Sequence, residues 1–313
     1  MHKPLKITVA VLLPLIGLAV LAVVLAWVYV DTLAEQGVER GATYALDVST
    51  ELGSADVGVL SGRVELSGLS VDNPEGFEAD HFLTLENADA GVTLGSLMED
   101  VVEVPGITLT GIDLHLERTT SGANYKVIMD NLARFENGEQ KDPDPDAKKF
   151  VVRTLTLRDV TVHANIVPIG GAIGDLTTAE VTVDQVVLRD LGSGGEPMTI
   201  AEITTVVVKA VLASAIEVGG GVIPEDVLGD IGDQLAALLD LEDMGVGSIE
   251  GLGEAAADLL GAPVEEIIEG AGGAIEEAGE AIQKEADRAK ERLGGLLPGQ
   301  KKEEDEPKPE DPG

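Results

Sequence analysis

Few residues in this chain of 313 could do chemistry, and their spacing argues against most of it. There is no cysteine, which excludes disulfide scaffolds, thiolate metal sites and thiol nucleophiles. Of the four histidines, His2 precedes the first apolar run, while His81, His115 and His163 are scattered. None has a partner at the i,i+4 spacing of a helix or the i,i+2 spacing of a strand, so no metal site is predicted. Asp142, Asp144 and Asp146 resemble the start of a calcium loop. Ala147 stands where that loop needs glycine, and Arg153 where it needs a bidentate glutamate, so a solvated acidic loop is the better reading. Gly219-Gly220-Gly221 is not followed by the Lys-Ser/Thr of a phosphate loop, and no Gly-x-Ser-x-Gly elbow occurs. No catalytic residue and no cofactor is predicted, and an enzyme is not expected.

Charge narrows the partners. The 21 Lys and Arg against 57 Asp and Glu give a net charge of −36, which argues against nucleic acid. Residues 224–313 alone carry 25 acids and seven bases, half of that charge. Solubility and repulsion from anionic lipid explain this, and docking to a basic partner is the rival reading.

What remains is apolar surface and the elements that would position it. From about Leu46 to Leu191 the sequence alternates with period two and is rich in Val, Thr and Leu. One pattern recurs: two alternating apolar residues, then a residue that tolerates a left-handed backbone, then two more. It is found at Val64–Val71, Leu83–Ala90, Ile107–Leu114 and Leu155–Val162, and partly at Val186–Leu191. In each copy the apolar phase slips by one at Gly68, Asn87, Gly111, Asp159 or Asp190. A slip of one turns later side chains to the other face, unless an extra residue is absorbed as a β-bulge. Gly, Asn and Asp are the types that take the left-handed conformation such a bulge needs. The pattern therefore predicts long bulged strands, a curved sheet and one apolar face. Candidate lining residues are Leu66, Leu69, Val71, Leu85, Leu109, Ile112, Leu114, Leu157, Val160 and Val162. Whether this face stays open as a groove or is filled by a helix is left undecided by the pattern.

Turns and helices complete the reading. Ser61-Gly62 suits a hairpin, and Asn73-Pro74-Glu75-Gly76-Phe77 a turn whose aromatic docks on the sheet rim. Asn124 is the expected N-cap of a helix to Phe135, with Tyr125, Ile128, Met129 and Leu132 along its stripe. Thr199-Ile200-Ala201-Glu202 is a capping box before an apolar run to Ile216, which predicts a buried helix lying on the sheet or on a partner; a second membrane span is the weaker alternative, because the run is short and flanked by acids. Pro224 opens a helix with Val227, Leu228, Ile231, Leu235 and Leu238 on one side, and Pro263 opens a longer one. From Gln300 onward the composition predicts a disordered tail.

At the other end, residues 7–30 contain no charge. As a helix they would reach roughly 36 Å, enough to cross a bilayer. A cleaved signal peptide is the rival, but its apolar region is usually about 7–15 residues long. Lys3 and Lys6 precede the run, and Asp31, Glu35 and Glu39 follow it. The expected topology is a single-pass membrane anchor, with the N-terminus in the cytoplasm and the bulk of the chain outside it.

The span, followed by Leu60–Phe77 with its hairpin and Asn-Pro-Glu-Gly-Phe turn, then Val92–Leu97 and Val104–Gly111, resembles the AsmA-like family of bacterial envelope proteins. The resemblance covers residues 1–135 and more loosely extends to 217. It implies a protein anchored in the bacterial inner membrane and facing the periplasm, related to chorein-type bridge-like lipid transfer proteins, with a groove for phospholipid and a part in outer-membrane homeostasis. It brings no catalytic residues. The expected architecture is α+β: a membrane helix (1–30), a curved mainly antiparallel sheet (31–198) with a helix near 124–136, a helical region (199–297) and an acidic tail (298–313). The C-terminal helices are candidate contacts for other envelope proteins.

Overall fold

Two neighbouring strands of equal phase pair well only if both change phase at the same level, and that constraint organises the sheet. A computed structural model of the protein describes residues 29–139, 147–167, 177–194 and 196–261. Nearly all of the expected membrane span, the acidic loop at 142–146, the helix from Pro263 and the tail lie outside these residues. Among the described residues no helix is long and apolar enough to cross a membrane.

Strands β1 (Thr50–Gly58), β2 (Arg63–Asp72), β3 (His81–Gly91), β4 (Val101–Val104), β5 (Gly106–Thr119), β6 (Gly122–Ala123), β7 (Lys149–Ile166), β8 (Thr177–Leu191) and β9 (Ser248–Glu250) form one open sheet. Its order is β1-β2-β3-β5-β7-β8-β9. Most pairs are antiparallel, but β7 runs parallel to both β5 and β4. The parallel pair follows from the crossover through helix α2 (Asn124–Glu136), which returns the chain to the same end of the sheet.

The phase slips are real, but they are not two-against-one bulges. Gly68, Gly111 and Asp159 have φ of 69°, 71° and 52°. Pairing resumes in the same register on either side of them: Ser67↔Asn87 then Leu69↔Leu85, Thr110↔Arg158 then Ile112↔Val160. All the long strands change phase together, along one seam through Gly53, Gly68, Glu86, Gly111, Asp159 and Asp184. A shared slip leaves no strand with a surplus residue, so no bulge is needed. Asn87, expected to be left-handed, is not; the seam crosses β3 at Glu86, opposite the left-handed Gly68 and Gly111. Asp190 (φ 56°) lies opposite Arg153 instead, on a second slip level with Pro105, where β4 ends and β5 begins.

Helix α1, described over 29–46, closes the β1 edge. Asp31 Oδ1 accepts from Val57 N (2.8 Å), Glu39 Oε1 from Leu52 N (3.0 Å) and Thr43 Oγ1 from Thr50 N (3.1 Å). Acceptors eight and four residues apart share one helix face. The donors carry an independent record of the seam: the amides of residues 50 and 52 point off the sheet edge, and so does that of 57, which regular alternation would turn toward β2.

Helices α3 (Ile200–Gly219), α4 (Glu225–Leu235) and α5 (Glu254–Leu259) follow β8. The predicted capping box forms: Thr199 Oγ1 accepts from Glu202 N, and the Glu202 carboxylate accepts from Thr199 N. Asn124 is not an N-cap; the cap position is Ala123. The region after α3 is not wholly helical, because Ser248–Glu250 returns as β9 beside β8, held by Arg189 Nε to Glu250 Oε1 at 2.6 Å. One buried ion pair ties the helices together. Lys209 Nζ on α3 lies 2.5 Å from Glu136 Oε1 of α2 and donates to Leu239 O at 2.6 Å. Burial pulls the Lys209 ammonium below its usual pKa, and Glu136 opposes that.

Candidate functional site

The cross-strand register assembles the predicted lining residues into rows. On one side of the seam the first row is Leu52, Leu69, Leu85, Ile112, Val160 and Val183. The second is Thr50, Val71, Leu83, Leu114, Val162 and Val181. On the hairpin side the rows are Ala55, Leu66, Ala88, Leu109, Leu157 and Val186, then Val57, Val64, Ala90, Ile107, Leu155 and Leu188. Thr50 is the one polar side chain in these four rows. All ten predicted residues therefore share a single apolar face across six strands.

That face is covered unevenly. Helix α3 packs on β7 and β8, and α2 packs on β5. On those strands Leu109, Ile112, Leu114, Leu157, Val160 and Val162 are buried, and so are Val71 on β2 and Leu85 on β3. Leu66 and Leu69 on β2 are only half-buried, together with Ala55, Val57, Val64, Ala90 and Ile107. Most of the half-buried residues lie in one corner, where β1, β2, β3 and β5 approach the β1–β2 hairpin; Leu69 lies across the seam from it, and Val181 is half-buried at the opposite corner, on β8. A groove along the whole sheet is thus replaced by a roofed half and an open corner. Sequence pattern could identify the face, whereas the roof depends on where α2 and α3 land.

At the far end of β5, the Asn-Pro-Glu-Gly-Phe turn is held by a carboxylate that sequence reading did not single out. Glu117 is 3% exposed; its oxygens accept from Ala79 N (2.7 Å), Glu78 N (2.7 Å) and Asn73 Nδ2 (3.0 Å). Asn124 Nδ2 donates to Asn73 Oδ1 (3.0 Å) and to His115 O (2.7 Å), and its Oδ1 accepts from Glu117 N (2.8 Å). The turn motif is therefore architectural: it is pinned to the end of β5 and the start of α2.

The histidines are not all scattered. Parallel pairing of β5 with β7 sets His115 opposite His163, on the face away from the apolar rows. Their rings stack with centroids 4.8 Å apart and planes at 20°. His163 Nε2 lies 3.2 Å from Asp113 Oδ1, and Nδ1 lies 3.4 Å from Glu180 Oε2. Burial lowers the His115 pKa, and the neighbouring His163 lowers it further. The signal was present in the repeat: each histidine directly follows the last residue of its own copy, Leu114 or Val162. Among the described residues, no group of three or more His, Asp or Glu has the geometry of a metal site.

An open, mostly antiparallel sheet with one continuous apolar face, partly roofed by helices, defines the class of protein. The AsmA family model matches residues 1–170, and the chain belongs to that family. Membership is consistent with an envelope-associated function. Comparison with curated proteins gives no significant match.

Proposed function

We propose that this is a membrane-anchored periplasmic protein, non-enzymatic, that shields lipid acyl chains on the open corner of its apolar face and so takes part in lipid transport and outer-membrane homeostasis. Residues 7–30 would anchor it in the inner membrane, with the N-terminus in the cytoplasm. One observation carries the reading. Val57, Val64, Leu66, Ala90 and Ile107 form a contiguous apolar surface that is only partly buried although the rows to which they belong are buried elsewhere. Covering such a surface with hydrocarbon gains about 25 cal/mol per Å² and needs no polar group to recognise the ligand.

A second reading has its own support. Helices α2 and α3 already fill the face over β5, β7 and β8, as in a tethered scaffold with a solid core. Photocrosslinking separates the two. A benzophenone side chain replacing Leu66 in the full chain, irradiated in cells, should yield adducts with phospholipid. The same group replacing Glu65, on the opposite face, should not. Equal lipid adducts at both positions, or none at Leu66, would leave only the scaffold.

A further inference from the structure

Large apolar side chains left in solvent gather at one end of the sheet. Leu60, at the tip of the β1–β2 hairpin, is 84% exposed, and Met98, closing the short helical turn Leu94–Met98, is 91% exposed. The Leu94 side chain packs over Gly62, within 3.3 Å of where a β-carbon would sit, and Val92 N donates to Gly62 O. Tyr29 and Leu33 flank Asp31, whose carboxylate holds Val57 N just before the hairpin. Asp31 thus ties the start of α1 to the strand that leads into the Leu60 hairpin, and Val92 and Leu94 tie the turn that ends at Met98 to the same hairpin. The other exposed large apolar residues, Val127, Val222 and Leu239, lie apart on α2 and in the loops after α3 and α4.

We propose that this rim (Leu60, Leu94 and Met98, with Tyr29 and Leu33) inserts into the interfacial layer of the membrane that residues 7–28 cross, giving the domain a second attachment that fixes its orientation. The proposal rests on the anchor reading above. Its occupant is argued from continuity, because the uncharged residues 7–28 run directly into Tyr29. Charge selects the lipid surface. Arg63 at the rim is engaged by Glu65 (2.8 Å) and Asp89 (2.9 Å), and Lys148 by the carbonyl of Glu99. Glu99 and Asp100 follow Met98 directly. Lys149 beside them has Glu196 at 3.9 Å. These acids and the carbonyl compete with lipid phosphate for the rim's cations, so attachment comes mainly from apolar burial.

Because the chain has no cysteine, single cysteines report one site each. Leu60→Cys, Met98→Cys and, as a control, Val222→Cys would each carry an environment-sensitive fluorophore on the full chain, reconstituted with phosphatidylcholine vesicles. Val222 lies near Asp226, which pairs with Arg118 at the far end of β5. The expected result is flotation of all three. Labels at 60 and 98 should be blue-shifted, quenched by acyl-chain nitroxide and protected from aqueous iodide; the label at 222 should remain open to iodide. Flotation with labels 60 and 98 as open to iodide as 222 overturns the rim while leaving the anchor. Failure to float overturns the anchor and the rim together.

Discussion

The two halves of the apolar face have the same residue types in the same alternation, yet only one is roofed. Under α2 and α3, Leu157 and Ile112 are core; in the corner near the hairpin, Leu66 and Val64 are half-exposed. Alternation encodes which way side chains point. What covers them is encoded elsewhere, in the crossover that brings α2 over β5 and in the capping box that starts α3. A single repeat can thus supply both a core and a surface.

The largest test of this contrast is truncation on each side. Leu157→Ala should lose about 2–5 kcal/mol of unfolding free energy in denaturant titration, because it opens a cavity under fixed helices. Leu66→Ala should lose about 1 kcal/mol or less, since only part of its transfer free energy is realised. Similar losses at both sites would mean that the corner is core after all.

A smaller effect is expected along the seam, which both halves share. Gly111 is left-handed, and a β-carbon there would come within 2.8 Å of Glu86. Gly111→Ala should therefore cost about 1–3 kcal/mol, of which ~1–2 is backbone strain. Asp159→Gly, which removes the strain at the equivalent position of β7, should be neutral or slightly stabilising by calorimetry.

The smallest effect belongs to the face away from the helices. His115 has a lowered pKa in the folded state, so the unfolded chain binds more protons once the pH drops through the ordinary histidine value of about 6.5. Stability should be fully present above that pH and decline on acidification below it. Thermal melts across the range should show the decline, and His115→Gln should flatten it. Unchanged acid sensitivity in that variant would assign the loss to other groups.

Much of this was legible in the residues. The phase slips at Gly68, Gly111 and Asp159, the box at Thr199–Glu202 and the stripe from Tyr125 to Leu132 each follow from local sterics or periodicity, and each is present in the fold. The errors came from relations between strands. A slip read one strand at a time looks like a bulge; it becomes a seam only when the neighbours slip with it. His115 and His163 were judged by spacing on a single element, while a parallel register joins them across 48 positions. Local chemistry favours Asn124 as a cap, but its amide serves Asn73, Glu117 and His115. The roof over the lining residues depends on contacts far apart in sequence, so no motif announces it.

Helix α1 has one more consequence. Its three side-chain acceptors occupy outward amides of β1, so that margin is spent. At the opposite margin β9 pairs only with Val187–Arg189, and among the described residues no strand pairs with that side of β8 between Thr177 and Val186. Among the described residues the sheet is therefore asymmetric: one border has amides taken up by helix side chains, and the other, along Thr177–Val186, keeps a free row of backbone groups that no described strand pairs with.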